Sequence, residues 1–144
     1  MAFKIRTLSI QEYEKIIGVW KRADLSFRPS GRDSRENIVK QMALDQEMFL
    51  GCFVGNELAG VVIGSYDSRK GWINRLAVVP EHRRKGIAKA LVRKIEETLK
   101  ARGFRIIGVL IEHDSEESMK LFSKAGYVKH DDIYYYTKRE DKEV

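Results

Sequence analysis

Three consecutive basic side chains, Arg83, Arg84 and Lys85, stand directly before Gly86, and from Gly86 the chain runs on with the spacing of an amphipathic helix. A helix start exposes backbone N–H groups that lack intrahelical acceptors and carries the positive end of the helix dipole, so a phosphate settles there readily. A glycine at that point lets the backbone approach a ligand closely. The cations add charge-assisted contacts to a pyrophosphate or a neighbouring phosphate. The chemistry on offer is therefore anion binding. Neither G-x-x-x-x-G-K-[ST] nor G-x-G-x-x-G occurs, which counts against ATPase and dinucleotide functions.

The formal net charge of +6 is concentrated around this loop. From Arg83 to Arg105 nine Lys or Arg face only Glu96 and Glu97, a net of +7, which leaves the rest of the chain near −1. The basic segment has no interleaved aromatics, and no stretch matches a helix-turn-helix or RNA-binding signature, so nucleic acid is not the expected partner. The single cysteine, Cys52, lies in the apolar run MFLGCFV and reads as a buried strand residue. With His82, His113 and His130 it forms no metal-ligand spacing, and no metal is expected.

The elements that must position the loop follow from periodicity. FKIRTL alternates as a strand; Ser9 and Glu12 make a capping box, and Ile10, Tyr13, Ile17 and Trp20 share one helical face. A loop, DLSFRPSGRD, leads to a second helix near Ser34 to Asp45. MFLGCFV and LAGVVIGS flank the turn GNE as a hairpin, and a turn at YDSRKG leads into the strand WINRLAVV. After Pro80 and the basic loop comes a helix from about Gly86 to Arg102, with Ile87, Leu91, Ile95 and Leu99 on one side and Gly103 as its stop. RIIGVLIE reads as a buried strand, Asp114 and Glu117 as a capping box for a helix ending at Gly126, and YVKHDDIYYYTK as one or two final strands. The order is β-α-α-β-β-β-α-β-α-β. The basic-loop helix crosses between two central strands, which should therefore be parallel.

With 144 residues, 43% of them hydrophobic and 33% charged, and without a linker or repeat, the chain is expected to form one domain over residues 1–144. The longest apolar stretch, Ile106 to Ile111, is too short to cross a bilayer, and the first residues lack a signal-peptide pattern. The expected location is cytoplasmic, with no membrane partner.

Arg83-Arg84-Lys85-Gly86-Ile87-Ala88 resembles the Q/R-x-x-G-x-G/A signature of the GNAT acetyltransferase superfamily. LAVVPEHRRKGIAKALV is similar to that family's strand-loop-helix block, and SMKLFSKAGY to its later helix ending in a Gly-aromatic pair. The resemblance implies an α/β (α+β) fold: a mixed, mostly antiparallel sheet whose parallel central strands splay around the cofactor, flanked by about four helices. It implies an acetyl-CoA-dependent N-acetyltransferase that moves acetyl directly to a primary amine of a small molecule or a protein. A non-catalytic acyl-CoA-binding sensor is the alternative, and a homodimer is compatible with either.

By position, the resemblance implies that the backbone of Leu76, Ala77 and Val78, interrupted by a bulge, pairs with the pantetheine arm and receives the acetyl carbonyl. Arg83, Arg84, Lys85, Gly86, Ile87, Ala88 and Lys89 would hold the pyrophosphate. Ser115 stands where relatives commonly carry a cofactor-touching asparagine. Many relatives have an acidic residue on the strand before the loop, where this chain has Asn74 and Arg75, neither of which serves as a base. Leu110 fills another usual glutamate position. Glu112, two residues on, falls on the same strand face by alternation and is the expected base. The usual tyrosine acid position is Phe122. Tyr66 and Asp67 sit in a turn expected near the acceptor, and Arg28 and Arg32 in the first interhelical loop would suit an acceptor bearing a carboxylate.

Overall fold

The computed structural model describes residues 2–142 and 144. Five strands form one sheet in sequence order: β1 (Lys4–Thr7), β2 (Phe49–Val54), β3 (Glu57–Tyr66), β4 (Gly71–Val78) and β5 (Ile107–Val109). The first three pairings are antiparallel. β4 and β5 run parallel, with Gly71 opposite Ile107 and Ile73 opposite Val109. Four helices flank the sheet: α1 (Tyr13–Arg22), α2 (Arg35–Leu44), α3 (Ile87–Ala101) and α4 (Glu116–Lys124).

The crossover helix α3 sets the architecture. Its stripe of Ile87, Leu91, Ile95 and Leu99 is at most 1% exposed, and each such side chain contributes about 1.5–3 kcal/mol on burial. The sheet meets it with glycines. A Cβ on Gly60 would come within 3.1 Å of Ile87 and Leu91, one on Gly64 within 2.8 Å of Ile95, and one on Gly71 within 2.9 Å of Leu99. The missing side chains let α3 lie close enough for its start to stand just beyond the end of β4. β3 is buried on both faces, and α1 covers the second with Ile16, Ile17 and Trp20.

Caps agree with the sequence at most helix starts. The Glu12 carboxylate accepts the Ser9 N–H at 2.9 Å and pairs with Arg6, and Ser34 Oγ accepts the Asn37 N–H at 3.2 Å. At α4 the expected cap moves by one residue, from Asp114 to Ser115.

The expected final strands do not form. No strand occurs between Val128 and Lys142 among the described residues, and Ile133, Tyr134, Tyr135 and Tyr136 are between 68% and 89% exposed. Strand-favouring residues make a strand only where a neighbour supplies a ladder, and β5, three residues long, pairs with β4 alone. No described helix is long and apolar enough to cross a membrane.

Candidate active site

β4 carries the feature that opens the sheet. Its register against β3 passes from Ala77 opposite Val61 to Asn74 opposite Ile63, so Arg75 and Leu76 together face Val62 as a β-bulge. Arg75 has left-handed backbone, φ 55°, a strained conformation for a residue with a Cβ. On its other side β4 keeps β5 only as far as Ile73. Leu76, Ala77 and Val78 are therefore laddered to β3 alone, and their β5 side has no strand partner among the described residues.

Just past this open edge lies the basic loop. Arg84 (φ 63°) and Gly86 (φ 83°) are both left-handed, a backbone alternation that gathers N–H groups into an anion-binding concavity. The first α3 bond runs from Ala90 N–H to Gly86 C=O at 3.0 Å, and Gly86 offers no capping side chain. The N–H groups of Ile87, Ala88 and Lys89 are thus without protein acceptors among the described residues. A Cβ on Gly86 would meet nothing within 4 Å. Glycine is needed here for its φ, rather than to relieve crowding by the protein, and the space beside it is open.

The cations of the loop divide their work. Arg83 Nε donates to the Val78 carbonyl at 3.0 Å and ties the loop to the end of β4. Lys85 Nζ donates to His82 Nδ1 at 3.1 Å, so His82 Nε2–H faces Glu57 Oε1 at 3.0 Å. Glu57 and Glu81 both pair with Arg22 of α1. Arg84 and Lys89 are exposed and have no side-chain partner among the described residues, which leaves them free for an anion. Beyond Lys89 a cavity of about 390 Å³ runs between α3 and α4, lined by Lys89, Arg93, Lys124 and Glu96 over Val92, Leu121 and Ala125.

The opposite side of the bulge holds a cluster whose focus sequence reading missed. The Arg75 guanidinium stacks on Trp20, Cζ to ring centroid 4.3 Å, and its Nη2 lies 3.7 Å from Asp33 Oδ2. Its Nε and Nη2 are both buried without a hydrogen-bond acceptor, as is Arg28 Nε. Leaving such donors unsatisfied costs about 1–3 kcal/mol each. Asp33, 6% exposed, accepts the Arg28 backbone N–H at 2.7 Å, and its carbonyl accepts the Tyr13 hydroxyl at 2.6 Å. Burial lowers the Arg75 pKa, with Asp33 opposing. The signal in the sequence was an arginine in the middle of the apolar strand WINRLAVV.

Other expected site residues are placed less closely. Glu112 is exposed, three residues past the end of β5, where strand alternation no longer sets its direction; its carbonyl accepts the Ser115 N–H at 3.0 Å at the start of α4. The Ser115 hydroxyl makes no cap hydrogen bond. Phe122 is 3% exposed and packs edge-on against Tyr127, ring centroids 5.1 Å apart. The Tyr127 hydroxyl donates to Glu96 Oε2 at 2.5 Å, and burial, helped by Glu96, raises its pKa.

Tyr66 and Asp67 are not beside the loop. The Tyr66 hydroxyl donates to Asp45, which also binds Arg102 just past the far end of α3; over the 15 residues of that helix this is about 22 Å from Gly86. Asp67 instead accepts the N–H groups of Arg69 and Lys70 in its own turn. Cys52 is fully buried, and burial alone pushes its thiol up to about 11. No cluster of three metal-ligating side chains occurs among the described residues.

Against known proteins, the profile of the Acetyltransferase (GNAT) family matches residues 12–127. An acetyltransferase of Sodalis glossinidius (strain morsitans) is 32% identical over 142 residues, covering 97% of this chain and 99% of that one. The PaiA N-acetyltransferase of Thermoplasma acidophilum, solved with coenzyme A, superposes with a TM-score of 0.75 at 23% identity over 87% of this chain and 89% of its own. AAC(6')-Iy, bound to a bisubstrate analogue, CoA-S-monomethyl-acetylneamine, does so at 0.77 and 17% identity over 96% and 99%. The ribosomal-protein-S18-alanine N-acetyltransferase of Escherichia coli gives 0.70 and 16% over 87% and 77%. At these identities the three structures share the fold.

Proposed function

The chain belongs to the GNAT acetyltransferase family and is an N-acetyltransferase; from that premise we propose that it uses acetyl-CoA and moves acetyl directly to a primary amine of a small molecule or a peptide. The observation that carries the reading is the conjunction of an open β4 edge at Leu76, Ala77 and Val78 with a helix start whose N–H groups lack acceptors. Both fit one elongated ligand with an amide-rich arm and a pyrophosphate. We take residues 1–144 as a single domain and assign the reaction to the cytoplasm, where a free thiol such as Cys52 is stable.

Acetyl-CoA supplies an acyl group activated as a thioester. The N–H groups of Ile87, Ala88 and Lys89, with the Arg84 and Lys89 side chains, hold the pyrophosphate; Arg83 and Lys85 act by bracing the loop. Lys89, Arg93 and Lys124 along the α3/α4 cavity suit the remaining phosphate of the nucleotide. Backbone N–H groups of the bulge, beside the open edge of β4, stabilise negative charge on the acetyl oxygen. Glu112 takes the proton of the attacking amine, directly or through water. Ser115, at the start of α4, closes the same end of the site.

The test is a panel of amines and peptides with acetyl-CoA, followed by free-thiol release and by the mass of the products. Release coupled to a mass gain of one acetyl group on an amine supports the reading; tight binding without any acetylated product contradicts it.

A further inference from the structure

The guanidinium of Arg75 cannot be approached over the face that lies on Trp20, which favours recognition along its edge. The two nitrogens without acceptors, Nε and Nη2, are those of one edge, the side-on fork that matches the two oxygens of a carboxylate. Asp33 approaches this fork but stays at 3.7 Å, beyond hydrogen-bond reach, because its carboxylate is already committed to the Arg28 N–H at 2.7 Å. Arg28 Nε is a further buried donor without an acceptor, and Arg32 Nε stands 3.8 Å from the same Asp33 oxygen. The Arg75 and Arg32 guanidinium groups therefore share one carboxylate, itself hydrogen-bonded to the Arg28 backbone, a local surplus of positive charge beside the β-bulge.

We propose that Arg75 is the anchoring site for a carboxylate on the acceptor, so that the amine acetylated belongs to an amino acid or a short peptide with a free C terminus. The inference rests on the acetyl-transfer reading above and names its substrate class. The Arg75 side chain keeps 20% of its surface exposed, with Trp20 over one face of the guanidinium and Asp33, from the segment between α1 and α2, at its edge. The fork atoms are covered and 3.7 Å leaves no room for a further group between Arg75 and Asp33, so the acceptor carboxylate takes the fork in bidentate fashion by displacing Asp33, which no hydrogen bond holds to Arg75. A planar, singly charged anion suits this fork better than a phosphate, because Asp33, even when displaced, stays close by and opposes further negative charge.

Two measurements test the proposal. In the first, α-amino acids and dipeptides are compared with their C-terminal carboxamides as acceptors, in wild type and in Arg75→Gln and Arg75→Lys, with thermal unfolding as the folding control. Wild type should prefer the carboxylates by about 30-fold or more in kcat/KM, chiefly through KM, as expected when a desolvated charge pair loses a partner. Arg75→Gln should erase the preference, and Arg75→Lys, which keeps the charge but not the fork, should restore only part of it, while both still bind acetyl-CoA. Equal use of acids and amides by wild type overturns the inference even if acetylation is brisk.

The second measurement does not depend on turnover. The Nε–H resonance of Arg75, assigned by its loss in Arg75→Lys, is followed in CoA-loaded protein during titration with N-acetylglycine, N-acetylglycinamide and inorganic phosphate. A saturable shift with N-acetylglycine alone supports the carboxylate site, including when no amine in the panel is acetylated, a result that would count only against the acetyl-transfer reading. No shift with N-acetylglycine, or a shift at lower concentration with phosphate, overturns it.

Discussion

The Nε of Arg83 donates to the carbonyl of Val78 at 3.0 Å, so the first cation of the basic loop is bound to the last residue of β4. Its neighbour Arg84 has no such tie and projects into solvent. The two arginines should therefore respond differently to truncation. Arg84→Ala should weaken acetyl-CoA binding by about 1.5–3 kcal/mol, the scale of one charge-assisted hydrogen bond, without changing the unfolding midpoint. Arg83→Ala should lower the midpoint as well, because it releases the loop from the strand. Calorimetry with acetyl-CoA and denaturant unfolding of both variants check this; equal stability losses would show that both arginines serve as braces.

Glu112→Gln should lower kcat by roughly 10²–10⁴-fold, as is typical when a general base is removed, and leave acetyl-CoA affinity nearly intact. A variant with wild-type turnover across the pH range would remove Glu112 from the proton path and place that role on water.

Much of this was legible in the residues, and the reasons differ from place to place. The α3 stripe could be read because Ile87, Leu91, Ile95 and Leu99 recur at one helical interval and all four are buried. Gly86 could be read as the helix start, although its reason proved to be a left-handed φ rather than crowding. The orientation of Glu112 could not be read, because alternation presumes that the strand continues and β5 stops at Val109. Ile133 to Tyr136 are residue types that favour strands but have no strand partner among the described residues. Arg75 was visible only as a residue unable to act as a base. Its position on Trp20 depends on a bulge that no local pattern announces, since a bulge is defined by the partner strand.

The Tyr127 phenol, held by burial and by Glu96, has a folded pKa raised above its unfolded value of about 10. The stability from this pair is fully present below pH 10 and is lost as pH rises through the folded value. Tyr127→Phe should cost about 1.5–3 kcal/mol at neutral pH, the worth of a hydrogen bond to a charged group. It should also flatten the alkaline fall in stability. Urea unfolding between pH 7 and pH 11 measures both effects; parallel curves for the two proteins would contradict the assignment.

Asp45 shows the opposite sign. Arg102, in hydrogen bonds of 3.0 and 3.1 Å, and Tyr66 hold its carboxyl below the usual range. That contribution is present above the unfolded value of about 3.9 and is lost as pH falls through the folded one. Asp45→Asn should therefore cost about 1 kcal/mol at pH 7, and the deficit should shrink as pH falls below the unfolded value and through the lower folded one. A deficit that is constant with pH would mean that the pair contributes only through packing.

Calorimetric titration of acetyl-CoA into wild type and Gly86→Glu tests the central claim most directly. At Gly86 a side chain would enter the open space beside the α3 start and bring negative charge to the N–H groups of Ile87, Ala88 and Lys89. Wild type should bind acetyl-CoA, and bind dephospho-CoA more weakly. The Gly86→Glu protein, shown to be folded by its thermal transition, should give no binding heat. Unchanged affinity in the folded variant would contradict the account, because the phosphates would then lie somewhere other than the start of α3.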